Sequence, residues 1–203
     1  SFTAGKRGKR AVIYMSACGL YRGWIDGKPV SDAVFMPGAT DYRKRIPYQT
    51  YDVTELLRKE EGESGSHTLD IWLADGWYRG SIGCFGPTNV FGRQTKLLCQ
   101  MEITYENGGR EMVLSDGSFS WSNDGPIRFA DLEDGEIVDA SITPSYSGKA
   151  METKEEVVPT AGDNVLPKEK ERFTAKLLTT PSGKKVLDFG QNLAGYLEFR
   201  VKG

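Results

Sequence analysis

Short runs in which apolar and polar residues alternate recur along the chain and predict β-strands. In residues 96–105, KLLCQMEITY, the apolar Cys99, Met101 and Ile103 alternate with polar neighbours. A period of two places such side chains on one face of a strand, and helical periodicity is scarce in this chain. Similar runs, rich in β-branched, aromatic or alternating apolar residues, are residues 11–16, 20–25, 68–73, 111–114, 119–122, 186–189 and 196–201.

Turn signals separate the predicted strands. Asp26-Gly27, within IDGKPV, is typical of a two-residue hairpin because glycine accepts the positive φ of a type I′ turn. Asn107-Gly108 and Asp116-Gly117 repeat the signal in YENGGREM and LSDGSFSW. Several short strands joined by such turns predict an all-β fold, an antiparallel β-sandwich or jelly roll.

One short surface helix is predicted in YDVTELLRKEEG. Asp52 or Thr54 is expected to be the N-cap, Leu56 and Leu57 to face inward, and Gly62 to end the helix. The stretch is short enough to form a single-turn bridge on the surface of the sandwich.

The chain is expected to divide into three parts. At 203 residues it suits one domain, or one domain and part of another. Residues 1–145 are expected to form the β-sandwich. Residues 146–171, rich in Pro, Gly, Lys and Glu, are expected to be a linker or an extended arm. Strand signals resume over residues 172–203, which we expect to begin a following β domain or to complete the first one.

Charge and hydropathy narrow the choice of partners. The chain has 26 Lys and Arg against 28 Asp and Glu, so no basic excess favours nucleic acid. No apolar run approaches the ~20 residues that span a bilayer, so a membrane partner is not expected. Residues 11–15, which follow a basic segment, are too short for the apolar part of a signal peptide, and the compartment stays open between cytoplasm and secretion. Cys18, Cys84 and Cys99 form no C-x-x-C pair and are expected to be free thiols.

Most catalytic signatures are absent from the sequence, and no catalytic residue is assigned. The single histidine, His67, is interpreted as a solvated loop residue. No G-x-S-x-G, H-E-x-x-H or phosphate-binding glycine motif occurs. A zinc site needs several His or Cys ligands, for which the chain has no convincing set.

The stretch LADGWYRGSIGCFGP combines aromatic rings, charges and glycines. A flat ring such as that of Trp77 or Tyr78 covers the C–H side of a sugar, while Asp75 and Arg79 form charge-assisted bonds with its hydroxyls. These four residues are therefore candidate carbohydrate ligands. The alternative is that the glycines only shape a corner between strands, with Arg79 paired to Asp75 or Asp41.

Two further stretches supply candidate residues. FMPGATDYRKRIPYQTYDV is predicted to be an extended loop, and its Asp41 and Tyr42 are candidate sugar contacts. ADLEDGEIVD is predicted to be a turn-forming loop in which Asp134, Glu136 and Asp139 are candidate calcium ligands, because calcium prefers oxygen ligands. Glu136 is also a candidate sugar contact. The spacing does not fit an EF-hand, and the paired carboxylates leave glycoside hydrolysis open as an alternative.

Three stretches taken together resemble the N-terminal β-sandwich of bacterial α-L-rhamnosidases. They are SACGLYRGWIDGKPVSDAVFMPGATDYRKRIPYQTYDVTELL, LADGWYRGSIG and LEDGEIVDAS. The closing LDFGQNLAGYLEFRVKG resembles the start of the next β domain of the same enzymes. The likeness covers residues 11–140 and 186–203. Ala39, Asp26 and Val138 stand where the family usually has Trp, Asn and Tyr, so a sugar contact through that Trp would be lost here.

The resemblance implies a parent enzyme that removes terminal α-L-rhamnose with inversion, its acid and base lying in an (α/α)₆ barrel downstream. This chain is then expected to be a non-catalytic accessory domain, a scaffold or a weak binder of rhamnose in which calcium can assist. The implied partners are a rhamnose-containing glycoside and the remaining domains of the enzyme. The alternatives are a protein-interaction sandwich with no sugar ligand and a small autonomous glycosidase.

Overall fold

The computed structural model describes residues 1–4, 8–58, 65–83, 85–163 and 165–200. The chain divides into two units, Ser1–Lys168 and Glu169–Gly203. The strands of the first unit are β1 (Phe2–Thr3), β2 (Gly8–Cys18), β3 (Leu20–Ile25), β4 (Lys28–Pro29), β5 (Pro47–Asp52), β6 (Ser66–His67), β7 (Leu69–Ala74), β8 (Lys96–Tyr105), β9 (Arg110–Leu114), β10 (Ser120–Trp121), β11 (Ile127–Asp131), β12 (Gly135–Val138), β13 (Gly148–Lys149) and β14 (Thr160–Ala161). A 3₁₀ helix covers Thr54–Leu57, and the four-residue helix α1 covers Gly76–Arg79.

Two main sheets form the first unit. A five-stranded sheet has the order β14-β5-β2-β8-β9, and a three-stranded sheet has the order β4-β3-β7. Neighbouring strands in both sheets are antiparallel, except for the parallel pair of β14 and β5. The short strands β1 and β6 pair with each other, as do β10 and β13, and β11 and β12. The predicted all-β, antiparallel β-sandwich is confirmed.

Alternation along the strands fills the interior of the sandwich. Ile13 and Met15 on β2 and Met101 and Ile103 on β8 are fully buried, and Ile13 lies opposite Met101 in the register of the two strands. Ile25 of β3, from the other sheet, belongs to the same apolar cluster. Burial of a side chain of this size contributes about 1.5–3 kcal/mol, so this cluster stabilises the packing of the two sheets.

The predicted strands occur with their ends displaced by no more than three residues, except at the last one. Residues 196–200 form no strand, and Val201 lies outside the described residues. In the first unit, β5, β11 and β12 were not predicted, and neither were the two-residue strands β1, β6, β13 and β14. The acidic stretch 130–139, which contains β12 and the end of β11, was expected to be a loop, because its charges hide the strand pattern.

The local turn chemistry agrees with the sequence at one hairpin and differs at another. Asp26 and Gly27 have φ of 49° and 75° and join β3 to β4, which confirms the two-residue turn. Gly108 has a φ of 84° in the longer connection between β8 and β9. The Asp116-Gly117 turn does not join paired strands, because β10 pairs with the distant β13 rather than with β9.

The predicted surface helix is confirmed as the short 3₁₀ helix Thr54–Leu57. Neither Asp52 nor Thr54 occupies the N-cap position, which belongs to Val53. The Oδ1 of Asp52 instead accepts hydrogen bonds from the backbone N–H and the hydroxyl of Thr54. Gly62, the expected end of the helix, lies outside the described residues.

Residues 146–171, expected to be a linker or an extended arm, contribute β13 and β14 to the first unit. β14 extends the five-stranded sheet beside β5, and Ala33 forms a β-bridge with Lys168. The second unit contains the hairpin of β15 (Lys176–Thr179) and β16 (Lys185–Asp188). Within the described residues, no helix has the length and apolar character needed to cross a bilayer.

The interpretation of His67 as a solvated loop residue is wrong. His67 is 2% exposed, stacks on Phe2 with ring centroids 5.4 Å apart, and places its Nδ1 2.8 Å from Oδ2 of Asp26. The burial follows from the pairing of β1 with β6, which covers the imidazole. Cys18 and Cys99 are buried free thiols, as predicted, and Cys84 lies outside the described residues.

Candidate functional site

Residues 75–81 contain the helix α1 and lie at the end of β7. Gly76 has a φ of +49°, and a Cβ at this position would overlap the side chain of Leu20, so the turn requires glycine. The backbone N–H of Arg79 donates to the carbonyl of Asp75, and the Arg79 Nε lies 3.0 Å from Asp75 Oδ1. The predicted pairing of Arg79 with Asp75 is therefore present, and it fixes the direction of the guanidinium.

The hairpin of β11 and β12, defined here as the acidic hairpin, is hydrogen-bonded to the loop that follows α1. The Ser81 N–H donates to Oδ2 of Asp131 at 2.8 Å, and the Ser81 hydroxyl donates to Oδ2 of Asp134 at 2.9 Å. The Gly83 N–H donates to Oε1 of Glu133 at 2.6 Å. Two segments about fifty residues apart in sequence are thereby held together.

Asp131 is the most strongly held carboxylate of the acidic hairpin. Its second oxygen, Oδ1, accepts from the backbone N–H groups of Glu133 and Asp134. Donation by the Ser81 N–H, followed in importance by the Glu133 N–H, lowers the pKa of Asp131. The carboxylate is therefore ionised at neutral pH and acts as an acceptor only.

An open cleft of about 410 Å³ lies between the 75–81 segment and the acidic hairpin. It is lined by Asp75, Arg79, Gly80, Ser81, Thr88, Asn89, Arg93, Phe129, Asp131 and Asp134. Both signs of charge, three neutral polar side chains and the ring of Phe129, 43% exposed, meet in this space. The cleft thus offers donors, acceptors and one apolar face to a small polar molecule.

Three of the predicted candidates, Asp75, Arg79 and Asp134, line this cleft. The sequence did not single out Thr88, Asn89, Arg93 or Phe129. Asn89, with a φ of 58°, lies in residues 86–89, GPTN. The Gly, Pro and Asn of this stretch predict a loop, but they do not predict which part of the fold the loop contacts. These residues line the cleft only because the loop that follows α1 lies beside the acidic hairpin, which is distant in sequence. A local sequence pattern does not predict such a contact.

The aromatic candidates lie elsewhere. Tyr42 and Tyr78 are buried and contact each other edge to face, with centroids 5.2 Å apart. The Tyr42 hydroxyl donates to the Gly38 carbonyl, and burial raises the pKa of Tyr42 to about 12. Trp77 is half-buried, with its ring edge against Phe35. Tyr42 and Tyr78 belong to a second apolar cluster, whose buried members are Cys18, Tyr42, Ile46 and Tyr78. Their packing in this cluster disfavours direct stacking of a sugar on either ring.

Asp41 belongs to a surface ion-pair group rather than to the lining of the cleft. Its Oδ1 lies 3.0 Å from the Arg43 Nε, and its Oδ2 lies 3.5 Å from the Lys44 Nζ. The hydrogen bond from Arg43 lowers the pKa of Asp41. The Arg43 guanidinium also lies over the ring of Phe91, so Asp41 helps to position that contact.

The three candidate calcium ligands have separate surroundings. Asp134 accepts from Ser81, Glu136 lies on β12 opposite Ala130, and Asp139 accepts from the backbone and hydroxyl of Ser141. Within the described ranges, no three His, Cys, Asp or Glu side chains are grouped as a metal site. Calcium binding stays a prediction.

The fold and the cleft define a β-sandwich module that presents a polar cleft between its loops and the acidic hairpin. The chain matches the family model for the alpha-L-rhamnosidase N-terminal domain over residues 6–176. This chain belongs to that family, and the resemblance stated from its sequence is confirmed.

Curated relatives and solved structures give the same assignment. The chain is 35% identical to an alpha-L-rhamnosidase of Streptomyces avermitilis, and the match covers 98% of this chain and 20% of the relative. It is 31% identical to an alpha-L-rhamnosidase of Alteromonas sp. (strain LOR), and that match covers 96% of this chain and 22% of the relative. The native alpha-L-rhamnosidase of Aspergillus terreus superposes with a TM-score of 0.80 at 28% identity, covering 95% of this chain and 23% of that one. The Streptomyces avermitilis enzyme complexed with L-rhamnose superposes with a TM-score of 0.75 at 34% identity, covering 95% and 19%. The chain therefore corresponds to about a fifth of these enzymes, their N-terminal domain.

Proposed function

We propose that this chain is the non-catalytic accessory domain of an alpha-L-rhamnosidase and that its cleft binds a rhamnose unit weakly. The family membership supports the first part of the proposal. The observation that carries the second part is the arrangement of Arg79, Asp131 and Phe129 around one cleft, held by the hydrogen bonds of Ser81. The solved relative that contains L-rhamnose makes this sugar the first ligand to test.

The lining of the cleft suits the chemistry of a sugar. Sugar hydroxyls both donate and accept, and the cleft provides donors on Arg79 and Arg93 and acceptors on Asp75 and Asp134. The exposed ring of Phe129 provides an apolar surface for the C–H groups or the methyl group of a deoxy sugar. A single open cleft with one ring is expected to give a dissociation constant of about 1 mM or weaker.

The carboxylates of the cleft support a binding role rather than hydrolysis. A glycosidase needs one carboxyl group that stays protonated and donates to the leaving oxygen. The pKa of Asp131 is lowered, so its carboxyl group loses its proton more readily than usual. It is therefore unsuited to be the protonated acid of a glycosidase. Asp75 is paired with Arg79, and Asp134 accepts from Ser81. A carboxylate has further lone pairs, so Asp75 and Asp134 still accept from sugar hydroxyls while they hold these groups.

Titration of the purified chain with L-rhamnose tests the binding role. Chemical shifts followed by NMR, with and without calcium chloride, are expected to change for residues around Phe129 and Arg79. Phe129→Ala is expected to weaken binding roughly two- to tenfold, because it removes the stacking ring. Ile137→Ala is the control, since Ile137 is an exposed apolar residue of the same hairpin outside the lining of the cleft.

Two results would contradict the proposal in different ways. Unchanged spectra at high rhamnose concentration would remove the sugar-binding role and leave the scaffold role. Release of the aryl group from an aryl α-L-rhamnoside by the purified chain, abolished in Glu136→Gln, would overturn the non-catalytic assignment.

A specific surface supports the scaffold role. Leu98, Met112 and Leu114 are each close to half exposed on the outer face of the five-stranded sheet. The chain spans about a fifth of the length of its curated relatives, so the rest of such an enzyme supplies a partner for apolar surface of this kind. Addition of the remaining domains in trans is expected to slow the hydrogen exchange of backbone amides on this face. Unchanged exchange rates would indicate a free-standing module and contradict the scaffold role.

A further inference from the structure

Two tryptophans lie side by side on the outer face of the three-stranded sheet. Trp24 of β3 and Trp72 of β7 have ring centroids 4.9 Å apart and an interplanar angle of 52°. Their neighbours on β3, Gly23 and Ile25, are buried, so alternation along the strand directs Trp24 away from the core. Trp72 is 55% exposed. The pair therefore does not belong to the interior of the sandwich.

The register places a charge opposite each of the two rings. Trp24 lies opposite Asp70, and Arg22 lies opposite Trp72. The two tryptophans are thus diagonal neighbours, a separation that aromatic side chains bridge. The Arg22 guanidinium lies 5.5 Å from the centroid of the Trp24 ring. This cation–π contact orders both side chains before any ligand arrives.

We propose that Trp24, Trp72, Arg22 and Asp70 form a second carbohydrate-binding surface, distinct from the cleft, which we name the tryptophan platform. A pyranose unit of a glycan would stack its C–H face on Trp72, and Arg22 and Asp70 would bond its hydroxyls. None of the four residues lines the cleft. The inference rests on the proposed sugar-binding function for the class of ligand, but it uses different residues.

The chemistry of the platform favours a sugar over a protein partner. The centres of protein interfaces are enriched in Trp and Arg but depleted of Asp, and here the exposed Asp70 lies directly opposite Trp24. An exposed ring flanked by a donor and an acceptor matches a sugar, which has an apolar C–H face and a polar rim. Trp72 and Asp70 are both exposed on this sheet face, which suits an internal unit of an extended chain.

The position of the platform along the chain agrees with this role. Trp72 precedes Asp75 of the cleft by three residues, which corresponds to a Cα separation of roughly 10 Å in an extended strand. A glycan of a few units that reaches the cleft therefore has the length to contact the platform. The two surfaces would then bind different units of one chain, which raises the affinity for a polymer above that for the free sugar.

Affinity electrophoresis of the purified chain in gels that contain a soluble rhamnose-containing polysaccharide tests the platform. The unmodified chain is expected to be retarded, and Trp72→Ala to lose retardation, with an apparent affinity reduced roughly two- to tenfold. Trp72→Phe, which keeps an aromatic face, is expected to regain most of it. Leu98→Ala, at an exposed apolar residue of the other sheet, is the control.

A parallel NMR titration with free L-rhamnose separates the two surfaces. The platform is supported if Trp72→Ala weakens polysaccharide binding but leaves the rhamnose-induced shifts around Phe129 unchanged. It is overturned if Trp72→Ala is retarded as strongly as the unmodified chain while Phe129→Ala is not, and the proposed cleft then stands. It is also overturned if Trp72→Ala changes only the self-association of the chain in sedimentation, which would make this face a protein surface. Absence of binding to both probes would overturn the platform and the cleft together.

Discussion

The hydroxyl of Tyr21 donates a hydrogen bond to Oε1 of Gln49 at 2.8 Å across the interior of the sandwich. Tyr21 lies on β3 of the three-stranded sheet and Gln49 lies on β5 of the five-stranded sheet, so this bond joins the two layers. The Tyr51 hydroxyl lies 3.0 Å from that of Tyr21 and is the donor of this pair, because the Tyr21 proton is already used. Burial raises the pKa of Tyr21, which stays neutral.

Removal of this hydroxyl is expected to destabilise the fold. Tyr21→Phe removes the buried partner of the Gln49 Oε1 and of the Tyr51 hydroxyl, which costs about 1–3 kcal/mol of unfolding free energy. Urea denaturation followed by tryptophan fluorescence measures the change. Tyr48→Phe, at a half-buried tyrosine on the opposite face of β5, is the control and is expected to cost less. Equal costs for the two variants would show that the bond between the sheets is not important.

Asp26 is expected to stabilise the fold in two ways. Its carboxylate bonds His67, and its backbone adopts the positive φ that the turn requires. Asp26→Asn keeps a residue that tolerates the φ of 49° but removes the charged acceptor, at a cost of about 1 kcal/mol. Asp26→Ala loses the acceptor and strains the turn, so its cost is expected to be about 2 kcal/mol. Denaturant unfolding measures both. In a His67→Phe background, Asp26→Asn is expected to cost less, and an unchanged cost would contradict the coupling.

The stability provided by Asp131 is expected to vary with pH. Because its pKa is lower in the folded state than the unfolded value of about 3.9, its hydrogen bonds stabilise the fold above that value and lose this effect as the pH falls through the folded pKa. Asp131→Asn is therefore expected to cost about 1 kcal/mol at pH 7 and progressively less below about pH 4. Unfolding curves at several pH values measure this. Glu136→Gln, at an exposed carboxylate of the same hairpin, is the control, and a difference that grows in acid would refute the expectation.

Gly92 is expected to tolerate no larger residue. A Cβ at this position would overlap the hydroxyl and ring of Tyr78, which is buried against Tyr42. Gly92→Ala is therefore expected to cost about 1–3 kcal/mol by overpacking the second apolar cluster. In Gly117→Ala the nearest atom to the new Cβ is the Ala150 carbonyl oxygen at 3.7 Å, an ordinary contact, so this control is expected to be nearly neutral. Thermal unfolding compares them, and equal melting temperatures would contradict the packing argument.

The rate at which Cys18 reacts with a thiol reagent is expected to depend on Glu155, which lies in residues 150–158 beside the thiol. The Cys18 Sγ lies 4.0 Å from Oε2 of Glu155, which forms a 2.6 Å ion pair with Lys96. Burial, and next the charge of Glu155, raises the pKa of the thiol. In a Cys84→Ser background, Glu155→Gln is expected to accelerate labelling of Cys18 by a thiol reagent several-fold, because both the charge and the ion pair are lost.

Mass spectrometry of the labelled peptide identifies the cysteine that reacts. Glu152→Gln, on the same segment, is the matched control and is expected to leave the labelling rate unchanged. Cys99, whose pKa is raised to about 12 by burial alone, is expected to stay unlabelled in every variant. Labelling of Cys18 at the same rate in Glu155→Gln would show that Glu155 does not shield the thiol.

Burial of one strand face made some strands predictable, although β5, whose buried residues also alternate, was not predicted. The run around Met101 and Ile103 alternates because β8 has one buried face, and its limits were predicted without error. The acidic hairpin was not predicted as strands, because every residue of β12 is exposed and no burial imposes alternation on it. The missed residues of the cleft, such as Phe129, carry no local signal for the same reason.

The sequence by itself determined the class of the fold and the turn at Asp26-Gly27, because alternation and positive φ are properties of neighbouring residues. It also contained the residues that place the chain in the alpha-L-rhamnosidase N-terminal domain family. Only the tertiary structure decided that His67 is buried, that Tyr42 and Tyr78 pack together, and that Ser81 binds the acidic hairpin. These outcomes depend on contacts between residues far apart in the chain, whose energies appear only when the sheets and loops have closed over one another.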